Sequence, residues 1–203
     1  TVDTIEELAA GATDRRPVRS SDAKSGADFE LLTLEGRSCF LKVLDAESDW
    51  IMRVTGNTDH WEYKVWRAGL YDRFPDVIDH TIIAMALDST GGSTRLGILM
   101  DDVTGSLVPP GDQVVAAETH EGFVRHMARL HANFWEWHDT VGLCPMANRV
   151  RFFSPETIAP ELLADAIPGP IAAADAGWKR LASIHPELSS FIDAIHEEPP
   201  ELV

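Results

Sequence analysis

Lys42 stands in the middle of the short apolar run Phe40-Leu41-Lys42-Val43-Leu44. Lysine is depleted in strands and is almost never fully buried without a partner. A strand that carries one among apolar neighbours therefore points to an anion nearby, the plain alternative being an edge-strand lysine turned to water. Twenty positions on, Glu62 borders the apolar stripe of a helical pattern. There a carboxylate can orient the ammonium and keep it charged. Upstream, Ser20, Ser21, Lys24, Ser25 and Gly26 belong to a polar, turn-forming stretch. Its backbone N–H groups can lie over the same anion, with Gly26 permitting close approach. Residues 96–100 form an apolar strand that runs into Asp101, Asp102 and Val103, offering backbone edges to a flat heteroaromatic base. The chemistry that these residue types share is the holding of a polyphosphate with a base attached.

The elements that must position them follow from the pattern. Thr4 with Glu7 forms a capping box, which predicts a short helix over 5–10 ended at Gly11. Residues 15–19, 29–34 and the Lys42 run are strands. Glu35-Gly36 makes a tight turn between the second and third, so the three form an antiparallel meander. The spacing predicts one helix over 50–70, with Trp61 and Val65 on one stripe and Glu62 and Trp66 on its neighbour. Two more strands, 80–87 and 96–100, flank a hairpin tip at 88–94. Residues 103–113 hold two Gly and two Pro and read as a linker. Beyond it the chain is helical, with Phe123, Met127, Leu130 and Phe134 predicted as one buried stripe; Ser154-Pro155 starts a further helix, and a last one covers about 186–196. The tryptophans at helical spacings read as core, with Trp135, Trp137 or Trp178 able to border a substrate cleft.

Composition narrows the partners. The 203 residues are 44% hydrophobic and 25% charged, which suits one large or two small soluble domains. A formal charge of −16 repels a phosphate backbone, so nucleic acid and anionic membranes are not expected partners, whereas a cationic small molecule suits it. Acidity is equally a solubility device. Cys39 and Cys144 lie far apart among apolar residues, which predicts reduced, buried thiols and a cytoplasmic protein; no run is long enough to span a membrane. His120, His126, His131 and His138 do not make a zinc site. Helical positions seven apart are separated by roughly 10 Å, too far to share an ion held at about 2 Å per bond. Asp101 and Asp102, adjacent after a strand, diverge, so they read as connecting residues rather than metal ligands.

This order of parts resembles the N-terminal lobe of the protein-kinase-like fold, and most of all the aminoglycoside phosphotransferase and choline-kinase-like small-molecule kinases. Phe40-Leu41-Lys42-Val43 matches the family's strand lysine and Glu62 its helix glutamate. Leu99-Met100-Asp101-Asp102-Val103 matches the interlobe hinge, and Met127-Ala128-Arg129-Leu130-His131-Ala132-Asn133-Phe134-Trp135 looks like the helix that opens the second lobe. Residues 20–26 sit where the nucleotide loop sits but lack its glycine-rich pattern, a departure usual among small-molecule kinases. The resemblance spans roughly residues 15–140.

It implies an α+β fold with a kinase-like N-lobe over 1–102, a five-stranded antiparallel sheet plus one helix, with a hinge near 99–103. A partial helical C-lobe follows over 103–203. It implies ATP and Mg²⁺ as cofactors, Lys42 on the α/β-phosphates, Glu62 orienting it, Ser20, Ser21, Lys24, Ser25 and Gly26 over the phosphates, and Met100, Asp101 and Val103 beside the base. It implies transfer of the γ-phosphate to the hydroxyl of a small molecule. The family's transfer loop, His-Gly-Asp followed five positions later by Asn, is missing. His138-Asp139 is followed by Asn148, nine positions on, and neither His185 nor His196 leads an aspartate. The sequence therefore predicts the N-terminal part of a kinase, without a catalytic residue of its own and with metal ligands expected beyond residue 203. The alternative is a kinase-like module that binds a nucleotide or a protein without chemistry.

Overall fold

In the computed structural model, residues 2–18, 26–108 and 113–197 are described. Five strands form one antiparallel sheet: β1 (Thr13–Pro17), β2 (Asp28–Leu34), β3 (Arg37–Asp45), β4 (Ile82–Asp88) and β5 (Arg95–Asp101), in the order β1-β2-β3-β5-β4. β2 and β3 are joined by Glu35 and Gly36, both at positive φ (51° and 80°), so the two-residue turn matches the twist of the strands it joins. β3 is central and covered on both faces, which is why it reads as an almost unbroken apolar run.

Alternation along β3 divides the core. Cys39 and Leu41, with Leu32, Ala86 and Leu99, pack on Ile5, Leu8 and Ala9 of and just after the short helix α1 (Ile5–Leu8). Thr4 and Glu7 cap α1 reciprocally: the Glu7 N–H donates to Thr4 Oγ1 and the Thr4 N–H to Glu7 Oε2. α1 lies so close to β5 that a Cβ on Gly97 would meet Ile5 Cγ1 and Leu8 Cδ1, each at 2.9 Å. On the other face Leu44, Met85, Leu96 and Ile98 pack against Met52, Tyr63 and Trp66. Lys42 pairs across the ladder with Phe29 and Ile98, so it belongs to this second face.

The single helix expected over 50–70 is two. α2 (Trp50–Thr55) begins at Asp49, whose carboxylate accepts from the N–H groups of Ile51 and Met52. It ends at Gly56 in the left-handed region, where the Asn57 N–H reaches back to the Met52 carbonyl and the Gly56 N–H to the Arg53 carbonyl. α3 (Trp61–Arg67) starts after His60, also at positive φ. The break is a helix stop built from Gly56 and Asn57, and apolar spacing on both sides masks it.

Five further helices are described: α4 (Ala117–Asn133), α5 (Met146–Arg151), α6 (Pro155–Ile158), α7 (Gly169–Ile184) and α8 (Ser189–Glu197). Ser154 caps α6, its hydroxyl accepting from the Thr157 N–H, as the Ser-Pro pair predicts. A third core crosses the linker: Trp50 and Val54 of α2 pack with Ile158 and Ile171 and with Phe152 and Phe153. The stripe expected to be buried on α4 is not. Phe123 is 44% and Met127 50% exposed, and no residue of α4 is buried. The period was right; amphipathic spacing records what a helix can bury, and here only its C-terminal end finds cover, Leu130 and Phe134 being half-buried with Phe134 against Phe74 and Arg73. Trp50 is core, whereas Trp135 is 78% exposed. Cys39 is fully buried and Cys144 half-buried, and both are free thiols. Among the described residues, no helix is long and apolar enough to cross a membrane.

Candidate functional site

Between β3 and the α2–α3 connection lies a cavity of about 300 Å³. Its polar lining is Lys42, Asp49, Thr55, Asn57 and Glu62, and its apolar lining Leu44, Ile51 and Met52. The two residues singled out twenty positions apart in sequence thus face one space. β3 delivers Lys42 by alternation, and α3 delivers Glu62 from its first turn.

Lys42 and Glu62 are not bonded to one another. Among the described residues, no ion pair or hydrogen bond reaches the Lys42 ammonium. Glu62 is held instead by Asn57, whose Nδ2 donates to Glu62 Oε2 at 3.1 Å, while Asn57 Oδ1 accepts from the Trp61 N–H at 2.7 Å. One amide therefore starts α3 and aims its carboxylate. Asp49, 1% exposed, is engaged by the two amides of α2. The lysine is left with its three donors unclaimed beside two carboxylates that the protein has already oriented.

The same sheet face continues away from α3 as a half-buried apolar surface. Phe29 and Phe40 stack with centroids 5.5 Å apart, and Met100 stands opposite Phe40 across the ladder. The strand exit beyond Met100 is tied down. Asp101 pairs with Arg37, and its N–H donates to the Thr81 carbonyl at 2.9 Å. Asp102 accepts from the Thr104 hydroxyl at 2.5 Å, from the Thr104 N–H at 3.0 Å and from Ser38 Oγ at 2.8 Å. These donors, the Thr104 hydroxyl foremost, hold its carboxyl below the ordinary carboxylate range. The adjacent carboxylates diverge as expected for connecting residues. Val103 is 40% exposed; its carbonyl accepts from the Ser106 N–H, and among the described residues its own N–H meets no acceptor.

Compared with family models, curated proteins and solved structures, the chain matches none.

Ser20, Ser21, Lys24 and Ser25 lie outside the described residues. Gly26 is described, and it makes a close approach to the chain itself. A Cβ there would sit 2.3 Å from the Ser48 carbonyl oxygen and 2.8 Å from its carbon. Close approach of the chain's own turn before α2 explains this glycine, with no ligand needed. Asp139 and Asn148, the nearest sequence match to a transfer loop, are both occupied. Asp139 accepts from the N–H groups of Val141, Gly142 and Leu143, and Asn148 Nδ2 donates to the Thr55 carbonyl at 2.8 Å. His120, His131 and His138 are exposed, and no group of three metal-binding side chains occurs among the described residues.

Asp49, Thr55 and Asn57 escaped the sequence reading. Asp49 carried a signal, a helix-capping residue directly before a helical pattern. Asn57 carried a weaker one in Gly56-Asn57, which marks a helix stop only once the helix is known to end there. Thr55 carried none, since its hydroxyl is turned to the Ile51 carbonyl.

Proposed function

We infer that residues 1–102, with a hinge at about 99–103, form a nucleotide-binding unit of the kinase-like kind, part of an ATP-dependent phosphotransferase acting on a small-molecule hydroxyl. The observation that carries the reading is the meeting of Lys42 and Glu62 in one cavity, with the lysine unpaired and the glutamate oriented by Asn57. A half-buried ammonium lining a cavity with no protein partner is placed to meet an anion that enters it.

In this reading the Lys42 Nζ donates to the α/β-phosphates, and Glu62, held by Asn57 on the facing wall, is the carboxylate that would keep the ammonium charged. Phe29, Phe40 and Met100 give the base an apolar bed, and the Val103 N–H, at the strand exit, is the free donor for its edge. When bound, ATP supplies the transferable γ-phosphoryl group. The described walls carry one cation against two carboxylates, so a triphosphate fits them only with the Mg²⁺ it brings and with donors from residues 20–26. The acceptor is a small molecule with a hydroxyl, a cationic one suiting the net charge of −16. Two free cysteines suit a reducing cytoplasm.

A second reading is favoured by a specific observation. Asp139 and Asn148 serve a turn and a helix contact, and no His-Gly-Asp loop occurs in the 203 residues. On that reading the chain binds nucleotide, or a protein, without transferring phosphate. Thermal-shift titration with MgATP tests both: a saturable rise in wild type that Lys42→Ala abolishes supports the nucleotide site. Neither reading expects phosphate transfer by this chain alone, so what separates them is whether coding sequence downstream of Val203 carries His-Gly-Asp followed five positions later by Asn.

A further inference from the structure

The cavity has two walls of different origin. β3 belongs to the sheet, but the α2 wall is fastened to the helical half of the chain. Arg53 of α2 makes a bidentate pair with Glu161, Nε to Oε1 at 2.7 Å and Nη2 to Oε2 at 2.6 Å, and the Glu161 side chain is only 7% exposed. The remaining guanidinium nitrogen, Nη1, donates to the Glu47 carbonyl at 2.6 Å and the Ala46 carbonyl at 3.3 Å. One side chain therefore joins the turn after β3, helix α2 and the segment after α6. A second fastening lies two residues on: Asn148 Nδ2 donates to the carbonyl of Thr55, itself a cavity residue. At the start of α2, Trp50 stacks on Phe152 with centroids 6.0 Å apart. A third lies on α3, where Lys64 Nζ donates to the Gly142 carbonyl at 3.1 Å.

A surface contact would not require a buried, doubly bonded carboxylate. Fork-to-fork pairs fix orientation as well as distance, and Glu161 spends both its oxygens on one residue. We propose that Glu161, acting through Arg53, is a positioning residue of the Lys42 cavity: it sets where the α2 wall stands relative to β3, so the helical half of the chain governs the shape of the site. Asn148 assists by holding the last residue of α2, two positions beyond Arg53. Neither residue touches the cavity, and both act through residues that line or adjoin it. That the cavity holds a nucleotide rests on the function proposed above; that its wall is held from residues 148 and 161 does not.

The test separates the two. Amide hydrogen exchange is followed residue by residue in wild type, Glu161→Gln, Glu161→Asp and Asn148→Ala, alongside MgATP titrations. Leu8→Ala, which loosens the opposite face of the sheet, is the control for general destabilisation. Glu161→Gln is expected to speed exchange at 50–57 by about tenfold relative to the amides of β3 and to weaken MgATP binding by a similar factor. Glu161→Asp, which keeps the charge on a shorter stem, falls between it and wild type, and Leu8→Ala shows no preference for 50–57. Asn148→Ala, which removes one hydrogen bond, carries the test if Glu161→Gln does not fold. Unchanged exchange at 50–57, or acceleration spread evenly over sheet and helices, overturns the proposal. Local acceleration in a protein whose wild type ignores MgATP upholds it and overturns the nucleotide reading instead.

Discussion

Replacing Gly26 by alanine distinguishes a residue that serves packing from one that serves a ligand. The new Cβ would lie 2.3 Å from the Ser48 oxygen, 2.8 Å from the Ser48 carbonyl carbon and 3.0 Å from Asp49 Cα, all backbone atoms. Backbone cannot swing aside as a side-chain end can, so the lead into β2 and the turn before α2 must separate by about 1 Å to reach normal contact. Overpacking of this kind costs about 1–3 kcal/mol. Alanine returns ~0.4–1 kcal/mol by restricting the unfolded chain, which leaves a net loss of about 1–2 kcal/mol. For a chain of this size that is a fall in Tm of about 2–8 °C. The assay is urea unfolding of the ligand-free protein, read as a lower midpoint at unchanged m. On the proposed nucleotide reading affinity would fall as well, because Asp49 moves, so only the ligand-free measurement discriminates. A ligand-free Gly26→Ala as stable as wild type would refute the close approach and return the glycine to the phosphate loop.

Other consequences follow from single contacts. Asn57→Ala removes the acceptor for the Trp61 N–H and the donor to Glu62 from a site 6% exposed. It is expected to cost about 1–2 kcal/mol in urea unfolding; a neutral result would mean that Asn57 does not hold α3. The carboxylate of Asp88 accepts from the Thr90 hydroxyl, the Thr90 N–H and the Ile5 N–H, which lower its pKa from 3.8 to about 2. Because the folded value lies below the unfolded one, the stability it contributes is complete above about pH 4 and is lost as the pH falls toward 2. Asp88→Asn should flatten that part of an acid-unfolding profile, and an unchanged profile would contradict the assignment. Cys39 is fully buried, and burial pushes its thiol pKa up, whereas Cys144 is half-buried. A thiol reagent under native conditions is therefore expected to label Cys144 and to reach Cys39 only on unfolding.

What the sequence showed, and what it hid, follows the range of the interactions. The capping box at Thr4 and Glu7 and the turn at Glu35-Gly36 are local, and both stand as read. Strand alternation placed Lys42, and helical phase placed Glu62 at the border of its stripe, so their convergence was legible in outline. Their separation by Asn57 was not, because that amide acts only when α2 has already stopped and α3 begun. Gly26 was legible only in part for a related reason: glycine marks a close approach without saying of what, and one neighbour is the Ser48 backbone. On α4 the apolar spacing of Phe123, Met127, Leu130 and Phe134 was real, but burial depends on a partner that spacing does not supply. The fastening of α2 to Glu161 lies 108 positions away along the chain and leaves no local trace.

The central claim is that Lys42 is an ammonium awaiting an anion, and MgATP binding to wild type and Lys42→Ala measures it most directly. The account predicts a saturable thermal shift in wild type and its loss in Lys42→Ala, with the ligand-free variant no less stable than wild type because no ion pair is broken. Equal responses from the two proteins, or none from either, would contradict it.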